Sequence, residues 1–212
     1  MKTTASILPL GLLAATPALA HHPLAGMPMT TFADGALSGV GHPLLGFDHL
    51  AFVVLAGVAA AFSGRQFVAP LGYVAAMLAG CLLAMAGLVL PFAEAAIALS
   101  LLVMGAVVLS GRALSLPVTL AAFGAFGLFH GAAFAGSIVG QEAGYGLTVA
   151  LGYLLGLGVV QYGVAIGAGL ALTRLLKAAE AGAMEARLTG AMVAGMGLFL
   201  TLETVEGAAF AA

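Results

Sequence analysis

Residues 41–62 read GHPLLGFDHLAFVVLAGVAAAF. From Leu50 onward the side chains are apolar without a gap, and they lack the alternation of a half-buried strand. A run of about 20 such residues crosses the hydrocarbon core of a bilayer as a helix. His42, Asp48 and His49 stand at its head, where burying an ionisable group costs free energy. The stretch decides the class of fold and raises the question of what those polar side chains do.

The rest of the chain agrees with it. Of 212 residues, 63% are hydrophobic and 7% are charged, whereas a soluble domain carries about 25% charged residues. So few charges cannot cover a water-facing surface. The apolar runs are continuous, which argues against a β-barrel. The expected class is all-α, a polytopic membrane protein with the lipid bilayer as its surroundings. The net charge is −2 and there is no basic cluster, so nucleic acid is excluded as a partner. The single cysteine, Cys81, lies inside an apolar run, makes no internal disulfide and reads as a small core residue.

Residues 1–20 have the form of a signal peptide. Lys2 gives the positive start, Ile7 to Ala15 an apolar core too short to span, and Ala18-Leu19-Ala20 the cleavage signal. Cleavage leaves His21-His22-Pro23 as the new N-terminus. Residues 21–42 then form a short periplasmic segment, and 43–212 a single transmembrane domain. Its apolar windows predict six helices, at 43–62, 67–90, 93–110, 115–139, 146–172 and 188–206.

The charges orient these spans. Arg65, Arg112, Arg174, Lys177 and Arg187 fall in the loops after the first, third and fifth. The positive-inside rule puts those loops in the cytoplasm and the N-terminus outside. The cleaved signal peptide demands the same, and the location is a bacterial inner membrane. Asp34, His42, Asp48, His49, Glu94 and Glu142 then lie toward the outer face. His130 lies roughly 22 Å above the cytoplasmic start of its span, and Glu203 and Glu206 reach a similar level. Glu180 and Glu185 belong to a solvated inner linker. Glycines four apart, at 127/131, 136/140, 152/156 and 163/167, predict close helix packing.

Imidazole with carboxylate suits nickel, cobalt or zinc, whereas magnesium and calcium prefer oxygen alone. His42 and His49 share one face of a straight helix but stand about 10 Å apart along its axis. Either Pro43 and Gly46 open the first turns, or the two histidines serve successive stations on a path. The new N-terminus, a free amine followed by His21 and His22, is either a chelating arm or a frayed tail. Gly46-x-x-His49 and Gly127-x-x-His130 share a spacing three spans apart, as an inverted repeat would place them.

HPLLGFDHLA (42–51) resembles the HP-x-x-G-x-DH-x-LA signature of the HupE/UreJ family of nickel permeases. LPFAEAAIALSLLVMGAVV (90–108) looks like that family's third span, and FGLFHGAAFAG (126–136) is similar to its F-H-G motif. The resemblance covers nearly the whole chain. It implies a metal site of His42, Asp48, His49, Glu94 and His130, with nickel or cobalt as transported substrate rather than as resident cofactor. A nickel-enzyme maturation system is the implied downstream partner. The chain departs from many members in its fourth span, where Phe134 stands for a second histidine and Ser137 for a glutamate. Glu203, and the terminal His21 and His22, are the accessory candidates.

The expected function is facilitated permeation of a divalent metal, not an enzyme activity. No G-x-x-x-x-G-K-[ST] motif is present for ATP-driven pumping. The rival reading is a zinc-dependent intramembrane hydrolase, with Asp48, His49 and His130 on zinc and Ser137 as a nucleophile near His130. Against it, the chain has neither H-E-x-x-H nor a G-x-S-x-G elbow. A scaffold whose histidines only hydrogen-bond is the third. The sequence carries no signal of oligomeric state.

Overall fold

The computed structural model describes residues 28–139 and 145–210. The expected signal peptide, His21, His22 and Glu142 lie outside the described residues. Within them all regular structure is helical, joined by short turns, with no strand. The α-helices are α1 (Phe32–Leu45), α2 (Phe47–Ala61), α3 (Ala69–Met85), α4 (Ala93–Leu109), α5 (Leu116–Val139), α6 (Leu147–Leu170) and α7 (Met184–Phe210). A π-helical turn, Ala171–Leu175, prolongs α6. By length and composition α5, α6 with its extension, and α7 are able to cross a bilayer, and α1 with α2 forms a further apolar pair. Helices α3 and α4 are shorter, at 17 residues each.

Local chemistry sets the helix ends. Thr31 caps α1 through a reciprocal pair: its hydroxyl accepts from the Asp34 amide at 3.2 Å, and the Asp34 carboxylate accepts from the Thr31 amide at 2.8 Å. Pro70 and Pro117 occupy first turns, where a missing N–H costs nothing. Helix α3 stops at Met85 because Gly87 turns to φ +89°. The expected span 67–90 is therefore cut short.

The largest departure from expectation lies at the quoted stretch. The predicted span 43–62 is not one straight helix. Residues 32–42, expected to precede it as part of a periplasmic segment, are already helical in α1. The chain then breaks at Gly46, which is extended (φ −82°, ψ 98°), and α2 leaves at 82° to α1. Pro43, inside α1, removes one backbone donor just before the break. The hydropathy signal missed α1 because it is built from Gly35, Ser38, Gly39 and Gly41 around an aspartate.

Helix packing is close. Helix α1 lies along α6, α3 along α5, and α4 along α7, while α2 touches every other helix. A Cβ on Gly35 would collide with the Val149 carbonyl oxygen, and one on Gly131 with that of Met77. The pairs 127/131 and 152/156 pack as their spacing predicts, whereas Gly163 and Gly167 face open space. Arg112, Phe62 and Ala181 line one small crevice, so the ends of α2 and α4 and the linker before α7 gather together.

Candidate metal site

Three helices deliver the histidines. His42 lies in the last turn of α1, His49 in the first turn of α2, and His130 in the middle of α5. A straight helix would hold the first two apart along its axis. The break at Gly46 brings their ring centres to 6.0 Å instead. His49 and His130 are 5.1 Å apart, centre to centre. Phe134 fills the corner between His42 and His49, at 5.1 and 4.3 Å, and Phe52 backs His130 at 4.4 Å. His130 is fully buried and His49 nearly so.

Polar partners hold each ring. His49 Nδ1 and His130 Nδ1 lie 2.9 Å apart. His130 Nε2 lies 3.0 Å from Ser100 Oγ on α4, and that hydroxyl donates to the Ile97 carbonyl at 2.6 Å. His42 Nδ1 lies 3.0 Å from Ser137 Oγ and 3.2 Å from the Tyr153 hydroxyl on α6. Tyr153 donates to the Phe134 carbonyl at 2.6 Å. Ser137, considered above as a neighbour of His130, is thus a neighbour of His42.

The carboxylates form a separate group. Asp48, Glu94 and Glu203, with Thr204, line a cleft of about 530 Å³ between α2, α4 and α7. Among the described residues no basic side chain lines it, so its field attracts cations. Asp48 joins the two groups, because its Oδ2 lies 4.0 Å from His49 Nε2. The five residues expected at one site therefore divide into an imidazole cluster and an acidic cleft, which the Asp48–His49 pair connects. Among the described residues, no group of three or more His, Cys, Asp or Glu side chains converges closely enough to hold a metal ion.

Ser100 and Tyr153 escaped the sequence reading. Ser100 is the one hydroxyl of α4 and Tyr153 one of three in α6, and nothing in the spacing ties either to a histidine on another helix. A deeper pair escaped too: Tyr73 donates to Gln161 at 2.8 Å, both buried.

Residues 8–200 match the family described as HupE / UreJ protein. Protein HupE of Rhizobium leguminosarum bv. viciae is 30% identical over 176 residues, covering 79% of this chain and 85% of that protein. No solved structure matches the chain.

Proposed function

The chain belongs to the HupE/UreJ protein family, and from that premise we propose that it carries a divalent transition-metal ion across a bacterial inner membrane. Nickel is the first cargo and cobalt the second, as suits mixed imidazole and carboxylate donors. The observation that carries this reading is the 4.0 Å gap between His49 Nε2 and Asp48 Oδ2, where the acidic cleft meets the imidazoles. A metal–nitrogen and a metal–oxygen bond of about 2.1 Å each span up to about 4.2 Å. One ion touching both atoms fits the gap.

The cleft collects the hydrated cation, and Asp48 and His49 replace part of its water. A site of few donors releases what it binds, which permeation requires. His42 and the terminal His21 and His22 serve on the outer side. The chain acts as a carrier, without chemistry on the ion.

Six crossings follow if α1 and α2 make one broken span and α3 and α4, about 25 Å long at 1.5 Å per residue, cross as well. Ionisable side chains at a broken helix are a common design for transport sites. The gathering of the Arg112 loop with the linker before α7 at one end supports a cytoplasmic face there, with the N-terminus periplasmic after removal of the signal peptide.

The test is uptake of radiolabelled nickel by cells producing the protein, with cobalt and zinc as competitors. Uptake that exceeds the control, yields to cobalt before zinc and is lost in His49→Ala supports the reading. Uptake no greater than the control overturns it.

A further inference from the structure

The close helix contacts recur at a fixed step along the chain. A Cβ on Gly35 of α1 would meet the backbone of Val149 and Tyr153 on α6, and one on Gly127 of α5 that of Tyr73 and Met77 on α3. Gly39 likewise meets Tyr153 and Leu157, and Gly131 meets Met77 and Cys81. From the opposite side, Gly156 meets Ala36, and Gly80 meets Leu128. Each of these α1 residues maps onto α5 by a step of 92, and each α6 residue onto α3 by a step of 76. Helices α4 and α7 obey the first step with each other: Gly105 meets Ala194, and Gly197 meets Leu102. Numbers that rise along α4 fall along α7, so these two equivalent helices run antiparallel.

An exchange that reverses direction defines an inverted repeat, with α1, α3 and α4 in one half and α5, α6 and α7 in the other. The two steps differ by 16, the length of residues 46–61, so α2 with its break is an insertion in the first half. Gly46 and Gly127, whose common spacing to a histidine suggested a repeat, are not equivalent; the partner of Gly127 is Gly35. The axis passes through the site. His42 and Phe134 are themselves 92 apart, and their ring centres lie at 5.1 Å. Two positions that an axis exchanges touch only where it passes between them. His49 packs on Phe134 and His130, so the imidazole cluster sits where the halves meet.

The acidic cleft lies to one side of this axis. Its lining residues Glu94, Leu200 and Thr204 map onto Ala186, Val108 and Arg112, and all three of those line the small crevice at the other end. The cleft measures about 530 Å³ and the crevice about 10 Å³, room for no more than one water molecule. The inserted helix makes the difference: Asp48 at its start lines the open cleft, and Val58, Ala59 and Phe62 at its end line the crevice and close it.

We infer that the crevice is the second mouth of the cation path, closed in this structure, and that the cargo passes by alternating access, the end of α2 parting from α4 and α7 at the crevice as the cleft closes over Asp48. The inference deepens the transport reading and rests on it. Charge sets the two mouths apart. Glu94 and Glu203 of the outer one are replaced by Ala186 and Gly111 in the inner one, and Thr204 by Arg112. The outer mouth gathers a cation, and the inner mouth does not hold it back.

Counterflow is the first test. Vesicles containing the unsubstituted protein are loaded with unlabelled nickel, and radiolabelled nickel is supplied outside. Alternating access lets the internal nickel drive the label transiently above its outside concentration, which a continuous pore does not. The second test places single cysteines at the equivalent positions Leu200 and Val108, each with Cys81→Ala. Leu200 is partly exposed at the cleft, whereas Val108 is buried. A small, charged, membrane-impermeant thiol reagent should modify Leu200→Cys from the outer side readily, and Val108→Cys from the inner side slowly. During nickel flux the Val108→Cys rate should rise at least about fivefold and the Leu200→Cys rate fall by about half, as when an inner-open state of about 10% or less comes to make up half of the population. Nickel flux without counterflow, or modification rates that nickel leaves unchanged, overturns alternating access and leaves the transport reading standing. Absence of nickel flux overturns both.

Discussion

The Nδ1 atoms of His49 and His130 face each other at 2.9 Å across the contact of α2 with α5. Two neutral imidazoles at this spacing share one proton between those atoms, so the residues act as a unit. Their substitutions are expected to be strongly non-additive. His49→Ala removes a proposed donor and His130→Ala the ring that holds it, and each should lower the initial rate of nickel uptake at least tenfold, the lower end of what loss of a ligand's hydrogen-bond partner costs. The double variant should fall little further. Uptake rates normalised to membrane protein level check this, and full additivity would contradict a coupled pair.

The acidic cleft acts at longer range. Glu94→Gln or Glu203→Gln removes one charge from a surface that also includes Asp48. Each should raise the KM for the cation a few-fold, with the maximal rate unchanged. The difference should shrink as ionic strength rises toward about 1 M, where the screening length is about 3 Å. A salt-independent difference would mean that these carboxylates bind the ion directly.

Phe134 stands in the corner between His42 and His49. Phe134→His puts a third imidazole there. The variant should bind nickel at least tenfold more tightly, by about 1.4 kcal/mol or more. It should also release the ion more slowly, so that maximal uptake falls while KM falls with it. Equilibrium binding in detergent and uptake in vesicles measure the two effects. Unchanged affinity would show that the new ring does not reach the ion.

The break between α1 and α2 offers a subtler probe. A Cβ on Gly46 would lie 3.0 Å from His49 Cδ2 and 3.3 Å from the His42 carbonyl oxygen. Gly46→Ala should displace the His49 ring and reduce uptake several-fold, with the folded yield unchanged. Size-exclusion profiles alongside uptake separate the two effects.

Two glycines four residues from a partner glycine should behave oppositely. Gly131→Ala drives a methyl into the Met77 carbonyl and should destabilise the protein by about 1–3 kcal/mol, as overpacking does. Gly163→Ala meets nothing within 4 Å and should be neutral or stabilising by up to about 1 kcal/mol, the helix gain of Ala over Gly. Thermal unfolding in detergent tests both.

Much of this is legible in the sequence. The helical class followed from the shortage of charge and the unbroken apolar runs, and close packing at Gly127 and Gly131 from their spacing, whereas α3 as their partner came only from the fold. Hydropathy did not find α1, because Gly35, Ser38 and Gly39 are weakly apolar yet pack well against a neighbouring backbone. The bend at Gly46 was one of two readings that the spacing of His42 and His49 left open. Sequence distance cannot choose between them, since glycine and proline allow a break without requiring one. His49 and His130 were both singled out, yet their direct contact depends on how α2 crosses α5. Ser100 and Tyr153 were invisible for a plainer reason: a hydroxyl in an apolar helix commonly bonds to its own backbone, and only the fold shows which imidazole it also meets.

Gly131 directly follows His130, and its main chain rests against that of Met77 with no side chain between. Registration of α5 along α3 is thereby set by atoms that have no rotamers to change. With both helices crossing the bilayer, as proposed above, a thicker or thinner one should tilt them together rather than slide one past the other. The depth of the buried imidazole relative to its surroundings should stay constant across lipid compositions, even where the overall lean of the bundle does not.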